Sequence, residues 1–338
     1  MNFTNVSIAS IAHIDAPVTV TSADLCAPLA RTMARLGLRE DLLATASGVL
    51  ERRWWEPGVQ PSQAATWAAE KALVQAGIAR DRIGVLINTS VCRDYIEPST
   101  ACLVHANLGL APHCQNFDLG NACLAFLNGM DVAGHMIERG QIDFALVVDG
   151  EGSRFVQEAT VARLAQDDTT EADFREQFAT LTLGSGAAAM VLGRRDLVPD
   201  GHRLLGGVNR AATQHRLLCR GQVDKMVTEA KTLLFAGLEL AGQTWAQAQQ
   251  ELGWRAADLD ECILHQVSGT HTTSLCRTLG LDMAKVLTIY AQFGNIGPAS
   301  VPIVLAKAAA AGRIRPGGRV ALMGIGSGLN CAMAEVVW

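Results

Sequence analysis

The chain has 338 residues, of which 49% are hydrophobic and 18% charged, and its formal net charge is −5. This composition is typical of a globular protein with one large core or two fused domains, and the acidic balance argues against a partner that is nucleic acid or an anionic membrane surface. The apolar runs are far shorter than the roughly 20 residues of a membrane-spanning helix, and the first residues show no signal-peptide pattern. We therefore expect a cytoplasmic protein without membrane insertion.

Nine cysteines are scattered along the chain without the paired Cys-x-x-Cys or His-x-x-x-His spacing of a metal site. An odd number of thiols is also not typical of a disulfide framework. We expect most of them to be reduced, buried, small apolar side chains, and we expect neither a bound metal nor a cofactor.

Short runs rich in β-branched residues alternate with alanine-rich stretches along most of the chain, which predicts an α/β fold of layered sheets and helices. A polar, charged segment at 157–178 predicts a helical excursion on the surface; such a segment is usually a solvated face, although it can cover the mouth of a pocket. The runs, in chain order, are IGVLINTSV, FALVVDG, ECILHQVS, VLTIY and RVALMGIG.

The sequence also contains an internal repeat: four pairs of similar segments occur in the same order in its two parts. This repetition favours duplicated halves. A turn-rich join over 193–207 predicts an N-terminal half at 1–195 and a C-terminal half at 196–338. The paired segments are 62–90 with 241–268, 107–110 with 278–281, 120–126 with 294–300, and 183–192 with 325–337.

Cys123 lies in GNACLAF, directly before an apolar pattern that predicts a helix. Unpaired amides and the positive end of the helix dipole lower the pKa of a thiol at such a place and make it a nucleophile. The alternative is that Cys123 is one more small core residue.

His265 and Asn295 are candidate partners of this thiol. His265 ends the predicted strand ECILH, and open α/β proteins bind ligands at strand ends. Asn295, in GNIGPAS, holds in the second half the place that Asn121 holds in the first. A structural histidine and a turn asparagine are the ordinary alternatives. Because equivalent loops of fused halves meet at one end of the sheets, we expect Cys123 and Asn295 to face each other.

Taken together, these segments resemble the thiolase superfamily, and within it the β-ketoacyl synthase III branch. The resemblance rests on GNACLAF, ILHQVS and GNIGPAS, on DYIEPSTACLV ahead of the cysteine, and on the closing GIGSGLNCAMAEVVW. It implies a five-layered αβαβα fold and a site in which Cys123, His265 and Asn295 carry acyl transfer and Claisen condensation. It further implies that the backbone N–H groups of Cys123 and Ser327 stabilise the oxyanion.

The implied chemistry suits these residue types. A thiolate takes an acyl group from a thioester and holds it as another thioester while the spent carrier leaves. The second acyl thioester then becomes a carbon nucleophile, and the His265 Nε2–H and the Asn295 amide are suitable donors to its enolate oxygen.

Glu97 departs from the pattern of most β-ketoacyl synthases III, which decarboxylate a malonyl unit and carry an apolar residue at this position. With HQVS and GNIGPAS, it makes the chain similar to the acyl-CoA condensing enzymes of bacterial olefin biosynthesis, which join two long-chain acyl-CoAs without decarboxylation. That similarity implies that Glu97 is a base, its pKa raised by burial beside acyl chains, that serves the partner subunit's Cys123. From spacing alone, Glu97 is a helix-start carboxylate ahead of Pro98.

We therefore expect a homodimeric acyltransferase that condenses two fatty acyl-CoAs to a 2-alkyl-3-oxoalkanoate, with downstream pathway enzymes as candidate partners. The alternative is a decarboxylative 3-oxoacyl-[acyl-carrier-protein] synthase III that uses malonyl-carrier protein. A non-catalytic partner subunit is disfavoured because Cys123, His265 and Asn295 are all present. No sequence pattern identifies the residues that bind the CoA nucleotide.

Overall fold

A computed structural model describes residues 2–338, so that only Met1 of the predicted N-terminal half lies outside it. The strands are β1 (Val6–Asp15), β2 (Val18–Thr21), β3 (Glu51–Trp54), β4 (Ile83–Asn88), β5 (Gln115–Asp118), β6 (Phe144–Glu151), β7 (Gly186–Arg194), β8 (His202–Ala211), β9 (Cys219–Gly221), β10 (Met226–Thr228), β11 (Glu261–Leu264), β12 (Arg319–Gly326) and β13 (Asn330–Val337). The α-helices are α1 (Ser22–Cys26), α2 (Ala30–Arg35), α3 (Leu42–Ser47), α4 (Pro61–Ala76), α5 (Thr100–Leu108), α6 (Ala125–Glu138), α7 (Arg154–Leu164), α8 (Glu171–Gln177), α9 (Ala230–Glu251), α10 (Gly269–Leu279), α11 (Tyr290–Phe293) and α12 (Ser300–Ala310).

Nine of the strands are hydrogen-bonded in the order β11-β12-β13-β8-β1-β7-β6-β4-β5. They divide at β1 and β8, which share only the pairs Ser7 with Arg203 and Ile8 with His202. The N-terminal sheet is then β5-β4-β6-β7-β1, and the C-terminal sheet is β11-β12-β13-β8. In the N-terminal sheet, β4 pairs in parallel with β5 and β6, and the pairs β6–β7 and β7–β1 are antiparallel. In the C-terminal sheet, β11 pairs in parallel with β12, and the pairs β12–β13 and β13–β8 are antiparallel. The two sheets therefore share one strand order.

The helices lie in three layers around these sheets. Helices α6 and α12 contact strands of both sheets, and their apolar side chains form the central core. Helices α4 and α5 pack on the outer face of the N-terminal sheet, and α9 and α10 pack on the outer face of the C-terminal sheet. The arrangement is α, β, α, β, α, which confirms the predicted five-layered fold.

The outer helices α4 and α9 overlap the paired segments 62–90 and 241–268, and each carries a Thr-Trp pair, Thr66-Trp67 and Thr244-Trp245. The hydroxyl of Thr66 donates to the carbonyl of Ser62 at 2.7 Å, and that of Thr244 donates to the carbonyl of Leu240 at 2.8 Å. Equivalent residues thus make equivalent bonds on equivalent helices. We propose on this basis that 1–195 and 196–338 are the duplicated units, joined by the connection between β7 and β8.

The prediction that VLTIY forms a strand is wrong, and the reason is a buried amide. The side chain of Gln266, fully buried, donates to the carbonyl of Leu287 at 2.7 Å and accepts from the N–H groups of Ile289 and Tyr290 at 2.8 and 3.1 Å. Because these backbone groups bind a side chain, the segment does not add a strand equivalent to β5.

The charged segment 157–178 forms α7 and α8, as predicted, but it is not wholly solvated. Gln157 is fully buried, and its Nε2 donates to the carbonyls of Thr180, Leu181 and Leu183 at 3.1, 3.2 and 2.9 Å. This excursion therefore fixes the backbone that leads into β7. None of the helices within residues 2–338 has the length and apolarity needed to cross a bilayer.

Candidate active site

Cys123 occupies a tight turn between β5 and α6. The residue before it, Ala122, has a φ of +47°, in the left-handed region that non-glycine residues rarely adopt. The N–H of Leu124 donates to the carbonyl of Asn121, and that of Ala125 donates to the carbonyl of Ala122, both at 3.1 Å. Because α6 begins at Ala125, Cys123 directly precedes the helix, as predicted.

A second turn, between β12 and β13, packs against the Cys123 turn. A Cβ at Gly326 would lie 2.9 Å from the carbonyl oxygen of Asn121 and 3.1 Å from the amide nitrogen of Leu124, so only glycine allows this approach. Asn330 donates to Asn121 Oδ1 at 3.1 Å across the same contact. Ser327 follows Gly326 and therefore lies beside the Cys123 turn.

His265 lies directly after β11 and is 3% exposed. Its backbone N–H donates to the carbonyl of Met323 at 2.8 Å, and its Nδ1 has no hydrogen-bond partner within residues 2–338. Burial, and secondarily the neighbouring His271, lower the pKa of His265 to about 3. The ring is therefore neutral near pH 7 and carries one N–H that can be donated.

Asn295 is held by its backbone and by one end of its side chain. Its N–H donates to the carbonyl of Thr182 at 2.9 Å, and its carbonyl accepts from the N–H of Gly184 at 2.8 Å. The side-chain Oδ1 accepts from the N–H of Gly297 at 2.9 Å. Because the oxygen is occupied, the amide presents its Nδ2 hydrogens, which have no partner in the described part of the chain.

Glu151, the last residue of β6, is buried and packs beside the loop that carries Asn295. Its Oε1 accepts from the N–H of Val91 at 2.6 Å, and its carboxyl carbon is 3.5 Å from the position that a Cβ would take at Gly297. Its negative charge also raises the pKa of the Cys123 thiol. The carboxylate therefore lies beside the loop that carries Asn295, and its charge acts on Cys123.

His265 is connected to the Cys123 turn through β12. Met323, to which His265 is bonded, is followed by Gly324, where a Cβ would lie 2.7 Å from Leu124 Cδ1. Leu124 is the neighbour of Cys123. These contacts place the Ser327 turn and the strand bonded to His265 beside the Cys123 turn, and a single site of Cys123, His265 and Asn295 stays a prediction.

The expected lowering of the Cys123 pKa is wrong for this chain. Burial raises the pKa of the thiol to about 12, and the charges of Glu151, Cys219 and Asp149 act in the same direction. A helix terminus contributes at most about 2 kcal/mol, or about 1.5 pKa units, whereas full burial shifts a pKa by up to about 3–5 units. Burial therefore acts against the helix terminus at this thiol.

Asp149 and Glu151 were not predicted as site residues, although both lie on the apolar run FALVVDGE. Asp149 Oδ2 accepts from the hydroxyl of Thr89 at 2.6 Å, while Oδ1 has no partner in residues 2–338. Burial raises the pKa of Asp149 well above its usual value, and burial raises the pKa of Glu151 to about 7. The sequence did contain a signal for these residues, because acidic side chains are rare within a continuous, buried strand.

Glu97 lies in the loop over 89–99, which is mostly exposed from Val91 onward, and its carboxylate has no hydrogen-bond or ion-pair partner within residues 2–338. Apolar side chains of the same loop are also exposed: Val91 by 55%, Tyr95 by 59% and Ile96 by 90%.

The cysteines are unpaired and five of the nine are buried. Across residues 2–338, no group of three or more His, Cys, Asp or Glu side chains is arranged to hold a metal ion.

Replacing Gly184 with alanine should destabilise the protein and displace Asn295. The added Cβ would lie 1.8 Å from the carbonyl oxygen of Phe293, so the backbone before Asn295 must move. We expect a loss of about 1–3 kcal/mol in unfolding free energy, as for other overpacked sites, measured by thermal denaturation. We also expect activity to fall at temperatures at which the variant is still folded, because Asn295 is displaced.

The matched control is Gly242→Ala in the interior of α9. The nearest atom to its added Cβ is Thr278 Cγ2 at 3.9 Å, so this change should be neutral or stabilise by up to about 1 kcal/mol. A Gly184→Ala protein as stable and active as its parent would contradict the tight contact.

Comparisons with known proteins agree with this geometry. Residues 117–207 match the family 3-oxoacyl-[acyl-carrier-protein] synthase III, and residues 249–338 match the C-terminal region of the same family. The chain is 55% identical over 338 residues to the acyl-CoA:acyl-CoA alkyltransferase of Xanthomonas campestris pv. campestris, and 37% identical over 350 residues to that of Shewanella oneidensis; both alignments cover 100% of each chain.

Solved structures of OleA from Xanthomonas campestris superpose closely. The cerulenin-bound form gives a TM-score of 0.99 at 55% identity and covers 100% of this chain and 98% of that one. A cysteine-to-serine form with bound lauric acid and lauroyl-CoA gives 0.98 and covers 99% of this chain and 100% of that one. The chain belongs to the β-ketoacyl synthase III branch of the thiolase superfamily, and it is an acyltransferase of that superfamily.

Proposed function

We propose that the chain condenses two long-chain fatty acyl-CoAs head to head without decarboxylation, through an acyl-Cys123 intermediate, to give a 2-alkyl-3-oxoalkanoate. The observation that carries this proposal is the unpaired carboxylate of Glu97 on a loop that also exposes Val91, Tyr95 and Ile96; decarboxylation does not need such a carboxylate. Two full-length relatives are named acyl-CoA:acyl-CoA alkyltransferases. Solved OleA structures include variants in which one glutamate, one cysteine or one histidine is replaced, and these residue types match the proposed set.

In the first half reaction, Cys123 attacks the carbonyl of an acyl-CoA, and CoA leaves as its thiol. The tetrahedral intermediate carries an oxyanion that needs two donors in fixed positions. The backbone N–H groups of Cys123 and Ser327 have this role in the proposal. Support comes from the close approach of their two turns at Gly326.

In the second half reaction, a base removes the α-proton of a second acyl-CoA, and the resulting carbanion attacks the acyl group on Cys123. The neutral His265 ring can donate an N–H to the enolate oxygen, since the pKa of this ring, about 3, excludes the imidazolium form near pH 7. The oriented Nδ2 of Asn295 is the second donor. Hydrolysis of the remaining thioester releases the free 3-oxo acid.

The base in this scheme is Glu97 of the partner subunit in a homodimer. The 89–99 loop leads directly into α5, whose first N–H groups, at Thr100 and Ala101, donate to Asp118 at the end of β5 at 3.0 and 2.8 Å. The loop therefore stands at the open edge of the N-terminal sheet. Exposed apolar side chains beside an unpaired strand edge are typical of an association surface, and a partner there would bury Glu97.

The proposal also places the enzyme in the cytoplasm, where acyl-CoA is available, with enzymes that consume the 3-oxo acid as candidate partners. Its test is product analysis by mass spectrometry after incubation with one pure saturated acyl-CoA. We expect one 2-alkyl-3-oxo acid for every two CoA released, without carbon dioxide at the condensation step. Carbon dioxide released from a malonyl-carrier protein, with no product from acyl-CoA alone, would support the decarboxylative alternative instead.

A His265→Ala change should separate the two half reactions. Acylation of Cys123 should persist, because His265 does not hold the acyl oxyanion in this scheme, whereas condensation should fall by on the order of 10²-fold or more. Intact-mass measurement reports acylation, and product formation reports condensation. The control is His113→Ala at an exposed position. Equal losses in both half reactions would contradict this division of roles.

A further inference from the structure

The side-chain amide of Gln157 has no role in the scheme above, yet it binds the segment that holds Asn295. Gln157 lies on α7 and is fully buried. Its Oε1 accepts from Trp54 Nε1 at 2.5 Å, so the opposite end of the amide carries the donors. This Nε2 group donates at 2.9–3.2 Å to three backbone carbonyls, those of Leu183, Thr180 and Leu181.

The segment 180–183 depends on side chains for these hydrogen bonds. Residues 178–182 form a short 3₁₀ helix, after which the backbone becomes extended at Leu183. Carbonyls at the end of a helix lack partners in the helix and need another donor when they are buried. Gln157 supplies that donor, and Arg52 Nη2 donates to the carbonyl of Leu181 as well, at 3.0 Å.

The same segment holds Asn295 through backbone contacts alone. The carbonyl of Thr182 accepts from the N–H of Asn295 at 2.9 Å, and the N–H of Gly184 donates to the carbonyl of Asn295 at 2.8 Å. Between them, Leu183 pairs with Asn295 as a parallel bridge. A Cβ at Gly294 would lie 2.4 Å from the carbonyl oxygen of Thr182. Since no side chain separates the two backbones, a shift of 182–184 displaces Asn295 directly.

We propose that Gln157 is a positioning residue for the condensation step: by fixing the backbone of 180–183, it fixes where the Nδ2 hydrogens of Asn295 lie. The proposal rests on the role of Asn295 as a donor to the enolate oxygen in the proposed function. Because Asn295 Oδ1 is bonded to the N–H of Gly297, the amide moves with its own backbone. A displacement of roughly 1 Å in such a group can reduce a rate by about 10²-fold.

Only an amide satisfies both sides of this contact. Trp54 offers a donor, and the segment 180–183 offers acceptors, so the side chain between them needs one acceptor and two donor hydrogens. A glutamate at 157 would turn a carboxylate oxygen toward backbone carbonyls. A methionine has nearly the same length and fills the space, but it donates no hydrogen bond.

The test compares the Gln157→Met chain with its parent at a temperature at which circular dichroism shows both to be folded. Condensation, measured as 3-oxo acid formed, should fall by about 10–10²-fold. Acylation of Cys123, measured by intact mass, should change by less than about 2-fold, because Asn295 does not hold the acyl oxyanion in this scheme. The control is Gln166→Ala, at an exposed glutamine after α7 that donates to the carbonyl of Ala162, and it should change neither step.

A double-mutant cycle with Asn295→Ala separates positioning from a general structural role. If Gln157 acts through Asn295, adding Gln157→Met to the Asn295→Ala chain should change its condensation rate by less than about 2-fold. The same loss in both backgrounds, or equal losses in acylation and condensation, would overturn the proposal. Trp54→Phe carries the test if Gln157→Met fails to fold. It removes the N–H that orients the amide, and its smaller loss should again be confined to condensation.

Hydrogen–deuterium exchange tests the contact without any product. In the Gln157→Met chain, peptides that cover 182–185 and 293–297 should exchange at least about 10-fold faster, and the peptide with Cys123 should exchange at the parental rate. Unchanged exchange in the first two peptides would overturn the proposal. A parent that acylates Cys123 but forms no 3-oxo acid would remove the proposed condensation, and the exchange result would still decide whether Gln157 holds Asn295.

Discussion

A Cys123→Ser chain should form no acyl-enzyme and no condensation product. A hydroxyl is a far weaker nucleophile than a thiol because its proton is much harder to remove. We expect a loss of at least about 10³-fold in acylation, in the range known for nucleophile deletions.

Intact-mass spectrometry with one acyl-CoA checks this result, and Cys102→Ser is the matched control because Cys102 is exposed. The control should acylate at the parental rate. A stable adduct on the Cys123→Ser chain that goes on to product would place the nucleophile at another residue.

A Glu97→Gln chain should accept an acyl group on Cys123 and then fail to condense. The amide keeps the size of the side chain but cannot remove the α-proton, so condensation should fall by about 10²–10⁴-fold while acylation is unchanged. Glu56→Gln, at an exposed carboxylate, is the control and should change neither step. Full condensation by the Glu97→Gln chain would remove this carboxylate from the mechanism.

Mixing the two variants tests whether Glu97 acts across subunits. In a heterodimer of a Glu97→Gln chain and a Cys123→Ser chain, one of the two sites combines an intact Cys123 with an intact Glu97 from the other subunit. An equal mixture that exchanges subunits should therefore recover about one quarter of the parental activity. If Glu97 served its own chain, both sites of every heterodimer would be inactive and the mixture would show no recovery.

The fold was largely predictable because its signals are local. Alternating β-branched and alanine-rich stretches predicted an α/β fold, and the resemblance to the thiolase superfamily implied its five layers. The similar segments around α4 and α9 favoured a duplication, which stays a prediction. The segment VLTIY failed because its backbone binds Gln266, which lies 20 or more residues earlier in the chain. A pattern of β-branched residues indicates the preference of a segment for extended backbone. It does not indicate which groups the backbone will hydrogen-bond in the folded chain.

The site was predictable to the extent that strand and helix ends determine it. Cys123, His265 and Asn295 lie at or near such ends, and their common site and catalytic roles stay predictions. The direction of the Cys123 pKa was wrong because burial depends on the assembled loops. Glu151 was missed because its neighbours, Val91 and Gly297, are far from it in sequence, and Glu97 needs a second chain to be placed.

The left-handed backbone conformation of Ala122 lowers the stability of the protein. A non-glycine residue in the left-handed region loses about 1–2 kcal/mol relative to the ordinary helical conformation, and glycine would remove most of that loss. The strained alanine limits the backbone to one conformation at the residue before Cys123. Sequence design for a higher melting temperature alone would therefore choose glycine at position 122. The resulting protein would be more stable, but the orientation of its Cys123 thiol would be less well fixed.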